Sequence, residues 1–396
     1  MKEFTKYLKA ERSVYIYSVL IITFILNSCV SPFGPNIEKY DNILVVEGLL
    51  TNQPGSCKVS LSHTYPYDRT NPAPESGALI TLIDNAGNEI RLMEDKKGVY
   101  TPEDTAFYGI IGLSYKITIE TALGESYESE FEELKKPIEI GSIQYDAIDK
   151  GNGLTGVQLN INSYDPSNKS HYYAWDFVET WQIEVPFQSA NPNRPPMKIC
   201  YNWNTSNAIL IKSTKDFLED RLVKFPFYFV DNRTNRLYFK YSILLKQYVL
   251  NEKTYMFYRH LKEINENVGS LYDKIPGFLV GNMRNTGNPE NPVLGNFQVS
   301  GVSEKRLFIH NKDLPYNVRA SIPYGYEFCR IETLDPRVSR PKVDSLLAVG
   351  WTVMDTLMVV EEDYLNYVMV ISNACFDCRL SGEIKMPSFW MDDSKK

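Results

Sequence analysis

Cys375-Phe376-Asp377-Cys378, near the end of the chain, is the short spacing that could carry redox or metal chemistry. Thiol–disulfide catalysis places such a pair at the start of a helix that follows a strand, where the helix terminus stabilises the first thiolate. Here Arg379-Leu380-Ser381-Gly382 follows, a turn-like stretch, so redox catalysis is not expected. Zinc would need two further ligands. No second cysteine pair supplies them, and His63, His171, His260 and His310 are scattered, which suits packing or surface roles. No Gly-x-Ser-x-Gly, phosphate-loop or dinucleotide fingerprint occurs. Acidic residues are so plentiful that sequence alone does not separate a glycosidase-type carboxylate pair from chance. The expectation is therefore no catalytic residue, no metal and no cofactor. Cys200, Cys329, Cys375 and Cys378 read as disulfide formers, either between the closing pair and the two earlier cysteines or within the pair, pinning the C-terminal tail.

A different cysteine chemistry sits at the other end of the chain. Lys2, Lys6, Lys9 and Arg12 precede an apolar run from Val14 to Leu26, and Leu26-Asn27-Ser28-Cys29 follows. A basic leader, a short apolar core and small residues before a cut site make a secretory signal, and this core is too short to span a bilayer. The Leu–x–small–Cys pattern resembles the bacterial lipobox. Residues 1–28 are thus expected to be cleaved, and Cys29 to take a diacylglycerol on its thiol and a further chain on its amine. Two or three acyl chains anchor durably where one binds only marginally. With Cys29 lipidated, Cys57 joins the four tail-linked cysteines as a fifth, so at least one thiol stays free or pairs between chains. The leader holds four of the 42 basic and two of the 49 acidic residues, leaving 38 against 47 in the mature chain. That acidity speaks against nucleic acid, which needs a clustered positive surface.

These residues need elements to hold them. Residues 29–41 include Ser31 to Asp41, with two prolines and a glycine, and read as a tether. From Asn42 short alternating runs begin, among them Leu44 to Gly48, Cys57 to Ser62, Ala78 to Asp84 with the Asn85-Ala86-Gly87-Asn88 turn, and Ser114 to Glu120. Roughly seven strands at this spacing predict an immunoglobulin-like or transthyretin-like sandwich over 42–137, closed by Lys135-Lys136-Pro137. Residues 138–396 read as a larger β-rich domain, so the whole chain is mostly β. Tyr172 to Ile183 is a long aromatic strand, and Leu237 to Leu250 another extended run. Tyr255, Met256, Tyr258, Leu261, Ile264 and Val268 recur at three- and four-residue steps, predicting a helical insertion over 252–270 with Asn251 capping it and Gly269 ending it. Strands resume at Phe297 to Ser300 and Lys305 to His310, Val343 to Val360 reads as a helix-containing connection, and Asn373 to Trp390 is a turn-rich tail. Tyr172, Tyr173, Trp175, Phe177 and Trp181 could form a ligand platform, but side chains of a strand alternate between faces, so core packing is the expected role of at least half.

Leu44 to Gly48 with Thr51-Asn52, Tyr173 to Trp181, Tyr241 to Tyr248, Gly269 to Asp273, Gly281-Asn282, Val293 to Phe297, and the closing Cys375 to Gly382 through Pro387 to Trp390 form an ordered series. That series resembles the Bacteroidota outer-membrane lipoproteins that carry domain of unknown function 4249. The pattern departs at Glu383, where a second glycine is expected. The resemblance implies an outer-membrane lipoprotein placed beside a TonB-dependent receptor, and no known reaction. Asp104-Thr105-Ala106, Asp344-Ser345-Leu346 and Asp355-Thr356-Leu357 resemble Bacteroidota O-glycosylation sites, with Thr105 in a loop the best placed and Ser345 and Thr356 the others. Glu38 and Asp41 are an acidic hint of export to the extracellular face. The expected function is a non-catalytic accessory partner of a TonB-dependent transporter in nutrient uptake. The competing classes are an adhesive or structural surface lipoprotein and an enzyme acting on a surface polymer.

Overall fold

Alternating sequence becomes alternating burial from the first strands onward. A computed structural model describes residues 42–65, 72–188, 198–267, 281–319, 326–361 and 363–390. The leader, Cys29, the tether, residues 189–197 and residues 268–280 with Gly269 lie outside the described residues. The first region holds β1 (Leu44–Thr51), β2 (Lys58–His63), β3 (Ala73–Pro74), β4 (Leu79–Asp84), β5 (Glu89–Lys96), β6 (Val99–Pro102), β7 (Ser114–Glu120), β8 (Ser126–Ser129) and β9 (Glu132–Glu133). In β4, Ile80 and Leu82 point inward while Leu79 is exposed. Its end is set by Asp84, whose Oδ1 accepts the amides of Ala86 and Asn88, both at 2.9 Å, with Gly87 supplying the left-handed residue at φ +90°.

The second region holds β10 (Ile140–Asp149), β11 (Thr155–Tyr164), β12 (Tyr172–Glu184), β13 (Ile199–Thr205), β14 (Leu210–Ser213), β15 (Arg221–Asp231), β16 (Lys240–Val249), helix α1 (Glu252–Asn267), β17 (Met283–Asn285) and β18 (Leu294–His310). A last group is β19 (Ile331–Leu334), helix α2 (Pro336–Ala348), β20 (Trp351–Glu361) and β21 (Asp363–Ser372), three strands in the order β19-β21-β20.

One continuous sheet runs β13-β12-β16-β18-β1-β2-β6-β5-β4-β7-β8-β17 and unites both regions. Its pivot is β18. Residues 294–300 pair parallel with β1, and residues 301–310 pair antiparallel with β16. On the β1 side the sheet curls around a core that includes Val46, Leu61, Ile80, Ile117 and Tyr100, and takes in Met283, Phe297 and Val299 from beyond residue 280. Asn282 closes the curl: its Nδ2 donates to the Phe297 carbonyl at 2.8 Å, and its Oδ1 accepts the Phe297 amide at 2.8 Å. One side chain thereby does the work of a strand partner. On the β16 side the same sheet packs against a second one, β10-β11-β15, as a sandwich. Tyr173, Trp175, Phe177 and Trp181 all lie in that core, and Tyr172 is buried on the opposite face. The aromatic strand therefore packs inward rather than offering an open platform. The architecture is mostly β and sandwich-like, as its pattern predicts.

Helix α1 begins where its periodicity predicts, directly after Asn251. The Asn251 carbonyl accepts the Tyr255 amide as the first helical bond, and its side-chain Nδ2 donates to Glu132 Oε2 and the Glu133 carbonyl, both at 3.1 Å.

Candidate functional site

The close backbone approach between β1 and β18 shapes the candidate site. A side chain at Gly295, which has φ +104°, would put its Cβ 1.9 Å from the Val46 carbonyl oxygen, and one at Gly281 would sit 1.8 Å from the Gly295 oxygen. Gly48 faces the Phe297 ring in the same way, at 2.5 Å. Glycine at these positions lets three chain segments meet at the seam between the two halves of the sheet. The strands β12, β16, β18 and β1 then form a floor, and α1 lies across it.

The helix is fastened at its first turn. Thr254, fully buried, donates its hydroxyl to Glu132 Oε1 at 2.8 Å, and Asn282 donates to the same oxygen at 3.1 Å. Burial pushes the Glu132 carboxyl above the usual range, against the pull of these donors and of Asn251. Tyr172 Oη donates to Glu252 at 2.6 Å and its ring lies 4.9 Å from that of Tyr255. Further along, Tyr255 and Tyr258 pack on the small cluster of Tyr172, Tyr248, Leu250 and Val302.

Between helix and floor is a cleft of about 690 Å³. Its floor includes Glu47 and Leu49 of β1, Ala174 and Asp176 of β12, and Tyr248 of β16. Phe257, Tyr258 and Leu261 roof it, and Ala208 to Ile211 form a side wall. Few polar groups are present and most are held. Tyr248 Oη donates to Asp176 Oδ2 at 2.8 Å, and Tyr258 Oη donates to Gln298 Oε1 at 2.7 Å. Burial raises the Asp176 carboxyl above its ordinary range, partly offset by Tyr248 and Lys246 and reinforced by Glu304. Burial likewise pushes the Tyr258 phenol up to about 12. The chemistry on offer is recognition: apolar contact plus a few oriented acceptors.

The cysteines lie elsewhere. Cys200 bonds Cys378 and Cys329 bonds Cys375, so the closing pair joins two earlier cysteines rather than each other. Around them the tail docks on the sheet edge. Tyr201 of β13 and Glu383 exchange backbone hydrogen bonds at 2.8 Å, Asn202 Nδ2 donates to the Ser381 carbonyl, and the Trp390 ring sits 5.2 Å from Tyr201 and 5.8 Å from Phe308. At Gly382 a Cβ would meet the Tyr201 oxygen at 2.6 Å, whereas Glu383 takes its place without a glycine. The tail therefore covers an otherwise open strand edge. Cys57 is a free, buried thiol that burial pushes up to about 12, which keeps it neutral and inert.

Other singled-out residues are dispersed. Thr105 is exposed in a turn, where Asp104 Oδ1 accepts the Ala106 amide. Ser345 is exposed on α2 and donates to the Lys342 carbonyl, and Thr356 falls within β20. His63 pairs with Glu75 at 2.9 Å and His260 is exposed on α1. Among the described residues no group of His, Cys, Asp or Glu is arranged to hold a metal ion. The most buried carboxylates are closed nodes. Glu179 accepts from Tyr241, Tyr228 and Asn204, and Asp220 from Tyr173 and Thr214.

Sequence reasoning did not single out Asp176, Tyr248, Tyr258 or Asn296 as a site. A signal was nonetheless present, because Asp176, Tyr248 and Asn296 all fall within the stretches that carry the family resemblance. Four of those stretches converge on the cleft floor. In comparison with known proteins, the family described as Domain of unknown function (DUF4249) matches residues 30–306, well over half of the chain. The cysteine-bearing tail lies beyond the matched span, so it is not part of what the match rests on. No curated protein matches the chain.

Proposed function

The chain belongs to the DUF4249 family, and from that premise we propose that it is an outer-membrane lipoprotein acting by binding, as a non-catalytic partner of a TonB-dependent transporter. The observation that carries the binding part is the seam cleft, whose volume of about 690 Å³ lies within the roughly 300–1,000 Å³ typical of small-ligand sites. Its walls come from both halves of the sheet and from a helix fixed to both. Such a site is formed before any ligand arrives, which lowers the ordering cost of binding.

The anchoring part rests on Leu26-Asn27-Ser28-Cys29. A tether of residues 30–41 spans at most roughly 40 Å when extended. It leads directly into β1, a floor strand of the cleft, so the site stays near the membrane plane. Confinement with a transporter in that plane raises the partner's effective concentration, and a modest contact surface then suffices. The exposed, Asn- and Pro-rich turn from Thr286 to Pro292 is a suitable contact loop.

The experiment is a strain carrying Cys29→Ala. Acyl labelling should disappear, the protein should leave the membrane fraction, and growth on the transporter's nutrient should fall to that of the deletion strain. Retention in the membrane with label intact would remove the lipid anchor from the account. Unchanged uptake in the deletion strain would favour a structural or adhesive role instead.

A further inference from the structure

We infer that the occupant of the seam cleft is a small amphipathic cation: an ammonium or guanidinium head on an apolar body. The inference rests on the reading of the cleft as a binding site. The apolar half is set by Leu49, Ile209, Ile211, Phe257 and Leu261, which face the same space. The head group follows from an imbalance of donors and acceptors in the lining.

The two phenolic protons are already committed. Tyr248 gives its proton to Asp176, and Tyr258 gives its proton to Gln298. Both phenols therefore offer only lone pairs to a newcomer. Asn296, 6% exposed and part of the lining, donates Nδ2 to Thr254 Oγ1 at 3.2 Å. Thr254 spends its own proton on Glu132, which fixes the Asn296 amide in that orientation. Asn296 Oδ1 is left buried with no partner among the described residues. An orphan acceptor of this kind costs free energy until a donor reaches it.

Charge points the same way. Asp176 is half-buried in the floor and Glu47 is exposed on β1, against one lining cation, Lys58, exposed on β2. Lys246 neighbours Asp176 across the β12–β16 register and Glu304 neighbours Lys246 across β16–β18, so the surrounding pair adds no net charge. An anion entering here would meet the half-buried Asp176 carboxylate and the unpaired Asn296 oxygen. A cation meets a charge-assisted acceptor and the faces of Phe257 and Tyr258. Burial raises the Asp176 carboxyl, and a bound cation would draw it back down.

Three probes of one shape separate the possibilities: phenylbutylammonium, phenylbutanol and phenylbutyrate, titrated calorimetrically into the full mature chain. The ammonium should bind more tightly than both, and Asp176→Asn, which keeps an acceptor for Tyr248, should weaken it by at least about tenfold. Glu47→Gln, at an exposed position of β1, should weaken it by a smaller factor. Equal binding of phenylbutanol, indifferent to Asp176→Asn, overturns the cation and leaves an apolar binding site. Preferential binding of phenylbutyrate overturns the cation as well. Failure of all three to bind overturns the reading of the cleft itself.

Discussion

Glu179→Ala should lower the unfolding free energy by about 3–5 kcal/mol, the cost typical of breaking a buried ion pair by removing one partner. Glu179 is 0% exposed and lies at the centre of the second half of the fold. Tyr241 of β16 donates to it at 2.8 Å, Tyr228 of β15 and Asn204 of β13 at 3.1 Å each, and Arg236 pairs with it at 3.3 Å. Four elements thus converge on one carboxylate. Alanine would strand the Tyr241 hydroxyl in the core and leave Arg236, whose side chain is only 25% exposed, without its counter-ion. Against a typical total of about 5–15 kcal/mol, this loss is severe. Glu179→Gln, which keeps the shape and an acceptor, should cost distinctly less. Urea denaturation followed by tryptophan fluorescence measures both. A midpoint for Glu179→Ala equal to wild type would show that the node is not holding the sandwich.

The second large effect is expected from Cys378→Ala. The Cys200–Cys378 bond joins positions 178 apart, and removing a native disulfide typically costs about 2–5 kcal/mol. The loss should be local before it is global. The tail strand contact at Glu383 and the Asn202 bond to Ser381 lie within a few residues of the lost link, and Trp390 packs on Tyr201, next to Cys200. With the bond gone, the β13 edge should gain hydrogen exchange and the segment after residue 378 should become cleavable by protease. Cys329→Ala, which opens a loop of 46 residues confined to the last group of strands, should spare the β13 edge. Equal protection of Tyr201 to Asn204 in wild type and Cys378→Ala would contradict the role of the tail as an edge cover.

Much of this was legible where short-range pattern decides. The Asp84–Asn88 turn, the aromatic strand and the start of α1 follow from spacing alone, because local periodicity and turn chemistry fix them. What sequence reading could not supply was pairing between distant segments. Leu44 and Leu294 give no local hint that β1 and β18 lie parallel, and a division at residue 137 looks complete until Met283 and Phe297 enter the first core. The run from Lys305 to His310 looked separate from Phe297 to Ser300, but Gly301 sits tight against the Lys135 carbonyl, 2.1 Å from where its Cβ would be, and the strand passes through unbroken. The strand Arg221–Asp231 is hidden by Pro226 and by register shifts opposite Leu159 to Ser163, which an edge strand tolerates and a central one does not. The cleft is the extreme case. Its residues come from β1, β12, β16, β18 and α1, and although Glu47, Asp176, Tyr248, Tyr258 and Asn296 each belong to runs with a readable pattern, nothing local in those runs says that they line one space.

Affinity purification of the tagged, lipid-anchored protein from detergent-solubilised outer membrane bears most directly on the proposed role. The account predicts that a TonB-dependent receptor is retained at near-stoichiometric amount and is lost when the membrane confinement is removed by Cys29→Ala. Purification of the anchored protein with no such receptor, under conditions where the detergent keeps known receptor complexes intact, would contradict it.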